Sequence, residues 1–452
     1  MNTQLLTAFQ QRITGKVILP EHQAYEAARH VFNQSGSPAV IVRAHTTIDI
    51  VETLRLAREQ KLPLSLRSGG HGLSGHATNT SGIVLDLAAF NQVTILDPQK
   101  RLVRIGTGAH WGDVARILGE HHLAISSGDT KQVGVGGLTL GGGIGWLVRT
   151  TGLALDSLHA AEVVTADGRI LRVNTKEHPE LFWAIRGGGG NFGVVTTFDF
   201  VATPCTAVIG GAIHYEPTEA ESVLSGWVEA MRSAPEELNS TLVLFSGFGP
   251  QVPPRISILL CYAGENEAAA HAAIEPLLHL GTVQAQDIHK KPYDAMLEDA
   301  TALPPGLKQV GHNGFIKELT QDVLSALAAN YGRPGKPIAQ IRYLGGAMAR
   351  VAPQETAFVH RDSEALVIVP AFAPTTVPEE QAQQIRQAAW SPLAAFSHGA
   401  YLNFLSEASE ASLAAVYPPE TAARLAQIKA HYDPDNLFNQ NQNSKPVEIT
   451  LQ

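Results

Sequence analysis

Apolar and polar positions in the first half of the chain predict many short elements. Alternating or clustered apolar residues predict strands over 62–66, 83–87, 93–96, 102–105 and 194–201. Helical spacing begins after Thr46, a good N-cap, and recurs over 111–120. An Asp-Gly turn at 167–168 predicts a hairpin, and residues 1–35 are predicted to be mostly helical. This half is therefore expected to mix helices and short strands.

The pattern changes after Val201. Six longer strands are predicted over 208–215, 241–246, 256–262, 314–319, 339–344 and 365–369. They alternate with helices near 218–232, 265–280, 320–331 and 379–396. This alternation predicts one sheet covered by helices on one face. From Gly399 the pattern changes again, to a strand over 400–405 and a helix over 420–431.

Composition excludes several protein classes. The 452 residues are 44% apolar and 17% charged, with a net charge of −9 and no long basic cluster, so neither a nucleic-acid partner nor a membrane is expected. The two cysteines, Cys205 and Cys261, cannot form a disulfide framework or a multi-cysteine zinc site. No metal-binding motif such as HExxH is found. His121 and His122 are adjacent in sequence, which is more typical of a pair on the surface than of metal ligands. Without a signal sequence, a cytoplasmic location is expected.

Glycine points to a large polar ligand. Of 41 glycines, 24 lie between Gly69 and Gly193. The GxGxxG pattern at 188–193 follows a predicted helix and precedes a strand, which is the reverse of the dinucleotide-binding arrangement. The segments 67–76 and 127–137 are more informative, because successive free backbone amides can bind pyrophosphate. Two such loops together can line a flat, extended ligand.

Separate blocks of sequence resemble the FAD-linked oxidases of the berberine-bridge-enzyme type, within the vanillyl-alcohol-oxidase or para-cresol-methylhydroxylase (PCMH) superfamily. These blocks are RSGGH at 67–71, VGVGGLTLGGGIGW at 133–146, VVTADG at 163–168, ELFWAIRGGGGNFGVVT at 180–196, LGGAMARV at 344–351, YLNF at 401–404 and HYDPDNLFNQNQN at 431–443. The resemblance implies an α+β, two-domain PCMH-type fold. Its parts would be an FAD-binding domain at 1–203, a substrate-binding domain at 204–397 with an antiparallel sheet covered by helices, and a C-terminal segment at 398–452 that packs back on the FAD domain.

The resemblance also implies a cofactor and its attachment. FAD would be bonded covalently to the imidazole of His71, and Thr130 stands where many relatives carry a second, cysteinyl link, so none is expected. The compact side chain of Val133 resembles the small residue that oxidases of this type carry beside the flavin, although packing alone also explains a valine here. Asn441 and Asn443 would either bond near the flavin or fix the C-terminus. The expected FAD contacts are Arg67, Ser68, Gly69, Gly70, His71, Gly72, Ser74, Gly75, Gly128, Asp129, Thr130, Val133, Gly134, Gly136, Gly137, Gly141, Gly142, Gly145, Trp146, Gly193, Val194, Val195, Asn441 and Asn443.

Tyr401 and Asn403 are the first candidates for substrate chemistry. In a strand they would share one face, and the resemblance places them against the flavin. Tyr401 would remove the hydroxyl proton of an alcohol, helped by Gln340, Arg342 or His312 because free tyrosine has a pKa of about 10. The alternatives are a buried aromatic at Tyr401, a structural His312 and an ion-paired Arg342.

The resemblance thus implies an FAD-dependent oxidase. It would take hydride from an alcohol or related small metabolite to flavin N5, and O2 would reoxidise the flavin with release of H2O2. An amine oxidase, an oxygen-avoiding dehydrogenase and a non-catalytic flavin-binding protein are the alternatives. A small-molecule substrate and O2 are the expected partners, whereas the sequence predicts neither the substrate nor the oligomeric state.

Overall fold

The computed structural model describes residues 3–247, 252–331 and 338–447. Its first sheet has four strands in the order β1-β2-β4-β3, with β2, β4 and β3 parallel and β1 antiparallel to β2. The elements are α1 Thr3–Gln10, β1 Lys16–Ile18, α2 Tyr25–Ala28, β2 Val40–Arg43, α3 Thr47–Gln60, β3 Leu64–Arg67 and β4 Ile83–Asp86. Thr46 caps α3 as predicted, in a capping box with Asp49. The prediction that residues 1–35 are mostly helical is wrong at 16–18. These residues form β1, an edge strand of this sheet.

The second sheet is antiparallel, in the order β5-β6-β10-β8-β9. Its segment contains β5 Val93–Asp97, β6 Leu102–Gly106, α4 Trp111–Gly119, β7 Leu123–Ala124, α5 Val135–Gly141, α6 Val148–Thr151, β8 Leu158–Val164, β9 Ile170–Asn174, α7 Pro179–Ala184, β10 Val194–Val201 and β11 Thr203–Pro204. The predicted hairpin is β8-β9. Trp111, Phe198 and Phe200 belong to one hydrophobic core. This core also contains Val135, so the sheet supports the glycine-rich segment that includes this residue.

The third sheet has eight strands, in the order β15-β12-β14-β13-β18-β19-β17-β21. Its region contains β12 Val208–Tyr215, α8 Ala220–Ser233, β13 Leu238–Phe245, β14 Arg255–Tyr262, α9 Glu267–Ile274, β15 Val283–Lys291, β16 Leu307–Gln309, β17 His312–Ile316, α10 Gln321–Asn330, β18 Ala339–Tyr343, α11 Ala347–Arg350, β19 Ala365–Val369, β20 Phe372–Pro374, α12 Glu379–Trp390 and β21 Ser397–Gly399. All neighbouring strands are antiparallel.

Helices cover one face of this large sheet, as the pattern predicts. Leu242, Ile258, Ile341 and Val367 lie on that face and share a core with Trp227 of α8. The residues between them in the strands point to the other face, towards the glycine-rich loops. The sheet therefore presents a second face on which a substrate can bind.

The C-terminal helices return to the first half of the chain. They are α13 Glu410–Val416 and α14 Pro419–Tyr432, and Leu425 of α14 joins the core formed with α7. The strand predicted over 400–405 is wrong, because residues Leu402–Phe404 form a 3-10 turn. The Tyr401 backbone pairs with the Asn313 side chain instead of a neighbouring strand: its N–H donates to Oδ1 at 2.7 Å and its carbonyl accepts from Nδ2 at 3.2 Å.

Candidate active site

The two predicted ligand loops meet through glycine backbone. A Cβ added at Gly69 would lie 2.3 Å from the Gly134 nitrogen, and one at Gly134 would lie 2.2 Å from the Gly69 nitrogen. A Cβ at Gly145 would lie 2.3 Å from the Gly128 nitrogen. Such distances exclude any side chain at these positions, so the chain brings the loops into backbone contact only because glycine stands there.

Arg67 and Ser68 support the first loop. The Arg67 guanidinium donates to the Ala28 carbonyl at 2.6 Å and pairs with Asp86 at 3.2 Å. The Ser68 hydroxyl donates to the Thr107 carbonyl at 2.6 Å and accepts from the Gly136 amide at 3.2 Å. Both side chains thus hold the loop in place, and their predicted contact with the cofactor stays a prediction.

His71 lies at the end of this loop with its ring half-buried. The imidazole stacks on Phe32 with 5.0 Å between ring centroids. Burial lowers the pKa of His71, and the nearby His110 lowers it further. The ring is therefore neutral near pH 7, the form in which a ring nitrogen is a nucleophile. The next residue, Gly72, has open space where a side chain would begin.

The second loop carries Asp129, Thr130 and Val133. The Thr130 hydroxyl donates to Asp129 Oδ1 at 3.0 Å, and Asp129 Oδ2 accepts from Arg342 Nη2 at 2.5 Å. The loop is thus connected to strand β18 of the large sheet. Val133 is half-buried and packs against the core of the first half of the chain. Packing alone can therefore explain why a valine stands at this position.

The side chains of Tyr401 and Asn403 contact each other, as predicted. The contact arises in a 3-10 turn and not from the alternation of side chains along a strand. The Tyr401 hydroxyl accepts hydrogen bonds from the Gly143 amide at 2.8 Å and from Asn403 Nδ2 at 2.9 Å. Asn403 also donates to the Leu138 carbonyl at 3.0 Å. Tyr401 is 3% exposed, and burial raises its pKa despite these donors and the charge of Arg342. The hydroxyl thus joins Tyr401 to the loop after α5.

Arg342 and Gln340 share one face of β18, as predicted. Ile341 and Tyr343 lie on the helix-covered face, so the alternate residues point to the other side. Thr241 pairs with Arg342 in register. The Arg342 side chain is 11% exposed, and its guanidinium carbon lies 5.2 Å from the ring centroid of Phe404. Sequence reasoning missed Thr241 and Phe404, because nothing local to either residue places it beside Arg342.

His312 lies on the wrong face for the predicted role. Its ring stacks on Trp390 of α12 with 4.6 Å between centroids, and Ile316 of the same strand belongs to the helix-side core. Alternation therefore directs Asn313, not His312, towards Tyr401. Burial lowers the pKa of His312 to about 4. Ile316, four residues along the strand, is the signal for this face.

Three of the other predicted contacts, Trp146, Gly193 and Asn441, also contact the rest of the chain. Trp146 Nε1 donates to the Met296 carbonyl at 3.2 Å, and a Cβ at Gly193 would lie 2.6 Å from Val163. Asn441 Nδ2 donates to the Gly190 and Phe438 carbonyls at 3.1 and 3.0 Å. Its Nδ2 thus joins the C-terminal segment to the turn at Gly190, whereas its Oδ1 has no partner in the described chain.

The residues present fit FAD. Some buried polar atoms lack a hydrogen-bond partner within the described chain; near the loops and the C-terminal segment these include Ser126 Oγ, Thr139 Oγ1, Asn441 Oδ1 and Asn443 Oδ1. Open space at Gly72 and Gly137 adds room beside the backbone of the two loops. Amides suit a pyrophosphate, and buried acceptors suit the N–H groups of a flat heteroaromatic ring.

Two other kinds of site are not found in the described ranges. No three His, Cys, Asp or Glu side chains there group closely enough to hold a metal ion. Nor does any described helix have the length and apolar character needed to cross a membrane.

Comparison with known proteins shows the family. Residues 38–174 match the FAD binding domain family, and residues 400–444 match the family described as berberine and berberine like. The chain is 30% identical to (R)-6-hydroxynicotine oxidase of Paenarthrobacter nicotinovorans, over 99% of both chains. It is also 30% identical to the FAD-linked oxidoreductase YgaK of Bacillus subtilis, over 97% of this chain and 99% of that one.

Solved structures agree with these matches. 6-Hydroxy-D-nicotine oxidase from Arthrobacter nicotinovorans has a TM-score of 0.85 at 28% identity, covering 96% of this chain and 98% of its own. Xylooligosaccharide oxidase from Myceliophthora thermophila, in complex with xylobiose, has a TM-score of 0.84 at 25% identity, covering 98% and 100%. The PCMH-type fold and the FAD-linked enzyme class are confirmed. The chain belongs to the berberine-bridge-enzyme-like family of FAD-linked oxidoreductases.

Proposed function

We propose that the protein is an FAD-dependent oxidase that oxidises an alcohol or a related small metabolite and releases H2O2. The observation that carries the proposal is the Asp129–Arg342 ion pair. It joins the glycine-rich loop to the face of the large sheet opposite its helices, where Thr241 and Gln340 add polar groups. Relatives named as oxidases, of 6-hydroxynicotine and of xylooligosaccharides, support the same reaction class.

FAD would be held between the two loops and attached through His71 alone. A neutral imidazole supports this attachment, and Thr130 offers no thiol for a second link. When bound, FAD would supply a hydride acceptor for a substrate carbon and a route for the electrons to O2. The backbone amides of the loops would hold the pyrophosphate, and Asn441 and Asn443 would offer acceptors to the ring.

The chain must also remove a proton from an alcohol. Burial raises the pKa of Tyr401, so its hydroxyl keeps its proton near neutral pH, and we assign it to positioning the loop. The Asp129 carboxylate faces the sheet; its oxygens already accept from Thr130 and Arg342, and their remaining lone pairs can accept the hydroxyl proton. Thr241 and Gln340 would orient the substrate beside it, with Arg342 fixing the carboxylate.

Flavin bleaching tests this assignment. Purified protein is mixed anaerobically with alcohols, sugars and amines, and air is then admitted while H2O2 is measured. We expect rapid reoxidation, and Asp129→Asn to slow reduction by an alcohol about 100-fold or more, the typical contribution of a general base. Tyr401→Phe should retain most of the rate. Slow reoxidation would contradict the oxidase, and the reverse ranking of the two variants would return the base to Tyr401.

Amine oxidation is the second candidate. A neutral amine needs no base, which agrees with the raised pKa of Tyr401, and one relative is named for a hydroxynicotine. Reduction by amines that is insensitive to Asp129→Asn would favour this reading. A flavin that no compound reduces would favour the non-catalytic alternative.

A further inference from the structure

The plane of the His71 imidazole is set by an aromatic contact. Neither of its ring nitrogens hydrogen-bonds to a residue that the structure describes. The ring instead stacks on Phe32, with 5.0 Å between the ring centroids and 19° between the ring planes. His76 of the same loop differs, because its Nδ1 is hydrogen-bonded to the Ser74 hydroxyl at 3.1 Å. The stack on Phe32 is therefore the directional contact that orients His71.

Core packing does not explain the Phe32 ring. Among the described residues, Phe32 belongs to none of the hydrophobic clusters. Two other stacked histidines show the contrast. His312 stacks on Trp390, which belongs to the core under the helices of the large sheet. His360 stacks on Phe315, which belongs to a smaller core.

The backbone that carries Phe32 is held against the first glycine-rich loop. The Phe32 N–H donates to the Gly70 carbonyl at 3.0 Å. Asn33 is 6% exposed, and its Nδ2 donates to the carbonyls of Leu73 at 2.7 Å and Gln309 at 2.9 Å. Asn33 Oδ1 accepts from the Gln309 N–H at 2.7 Å. The aromatic ring thus has a fixed position beside the loop.

A fixed plane matters for a nucleophilic imidazole. The lone pair of the reacting nitrogen lies in the plane of the ring, so this plane decides which atoms the nitrogen can attack. Reaction is fast only when the reacting atoms are held in line at about 3–3.5 Å. A ring that rotates freely reaches this geometry for a small part of the time. Gly72 leaves open space beside the histidine, so the loop itself does not restrict the ring there.

We propose that Phe32 is a positioning residue for covalent attachment of FAD, because its stack holds His71 in the reactive plane; this rests on the attachment given under the proposed function. In that step an imidazole nitrogen forms a C–N bond with the methyl carbon on the dimethylbenzene ring of the flavin. One methyl C–H bond and the imidazole N–H bond break, and both hydrogens leave as protons. The two electrons reduce the flavin, and O2 takes them up with two protons as H2O2.

The rate of attachment tests this role. Full-length protein is produced under limiting riboflavin and mixed with FAD in air, and the flavin absorbance of washed, redissolved acid pellets is followed over time. We expect Phe32→Leu, which stays apolar but has no ring, to slow attachment about three- to tenfold, the range that an aromatic pair contributes. Phe32→Tyr should keep the wild-type rate. Gln34→Ala, the matched control, removes the Gln34–Ser74 bond at 3.2 Å from the same segment and should also keep that rate.

A second measurement separates orientation from FAD binding. In a His71→Ala background FAD stays non-covalent, and its dissociation constant is obtained by fluorescence titration. Adding Phe32→Leu to this background should change the constant less than twofold. A loss of affinity as large as the loss of attachment rate would overturn the inference, because Phe32 would then act by binding FAD or by supporting the loop.

The outcomes also distinguish the inference from the proposed function. Equal attachment rates in the wild type and Phe32→Leu overturn the inference and leave the His71 attachment in place. Equal slowing in Gln34→Ala overturns it too, since any loosening of the segment would then be enough. Wild-type pellets without flavin overturn the attachment and the inference together. If Phe32→Leu slows attachment while no compound of the bleaching panel reduces the flavin, the inference stands and the oxidase proposal fails.

Discussion

Replacing Lys429 by methionine should destabilise the protein through a buried ion pair. Lys429 and Asp433 are both 0% exposed, and Nζ donates to Asp433 Oδ2 at 2.7 Å. The same Nζ donates at 2.8 Å to the carbonyls of Asn191 and Phe438. These bonds join α14 to the turn before β10 and to the chain after α14. Lys429→Met removes all of them and leaves Asp433 buried without its cation.

Breaking a buried pair in this way costs about 3–5 kcal/mol. Methionine has a similar shape, so cavity formation adds little. With an unfolding entropy of about 2.1 cal/mol/K per residue, a chain of this length has about 0.95 kcal/mol/K. The melting temperature should then fall by about 3–5 °C if the chain unfolds as one unit. A larger fall is expected if the first half unfolds separately.

Differential scanning calorimetry measures this change, with Lys445→Met as the control. Lys445 pairs with Glu410 at 3.0 Å, but the two side chains are 71% and 91% exposed. Such a surface pair contributes little, so Lys445→Met should melt at the wild-type temperature. A Lys429→Met variant that melts with the wild type would refute the reasoning, because the buried pair would then contribute no net stability.

Three further predictions concern the cofactor loops and pH. His71→Ala should leave acid-precipitated protein colourless, whereas the wild-type pellet stays yellow; a yellow variant would contradict the tether. Gly69→Ala should lower the melting temperature of the protein, because its Cβ would meet Gly134, whereas Gly72→Ala, in open space, should not lower that of the apoprotein. Because the pKa of His312 is lowered from 6.5 to about 4, the unfolded chain binds more protons between these values, so stability is lost as pH falls from about 6.5 to 4. Melting curves of His312→Phe should lose part of this slope; an unchanged slope would show that other groups cause it.

Strand patterns predicted much of the fold. The strands at 208–215 and 365–369 have the predicted bounds, because apolar residues with one covered face leave a clear signal. The same alternation placed Gln340 and Arg342 together. Strand β15 was missed because Val283–Lys291 is an exposed edge strand with mostly polar residues, so its sequence shows no buried face.

The errors at the site have a common physical cause. Tyr401 was placed in a strand because its neighbours are apolar, yet its backbone bonds to the Asn313 side chain, 88 residues away. The strand pattern around Gly314 offers His312 as a helper of Tyr401, although Ile316 of the same strand indicates the helix-covered face. In both cases the side chain's surroundings depend on a distant element, which a local pattern does not report.

The Asp129–Arg342 pair shows where this limit matters most for function. Its partners are 213 positions apart, one in a glycine-rich loop and one in the large sheet. Each was singled out from its own motif, but their contact depends on how the two halves of the chain assemble. Glycines at 69 and 134 let this loop meet the first loop in backbone contact. The proposed substrate face is therefore a property of assembly, and a side chain at either glycine should disturb Arg342 as well as the cofactor.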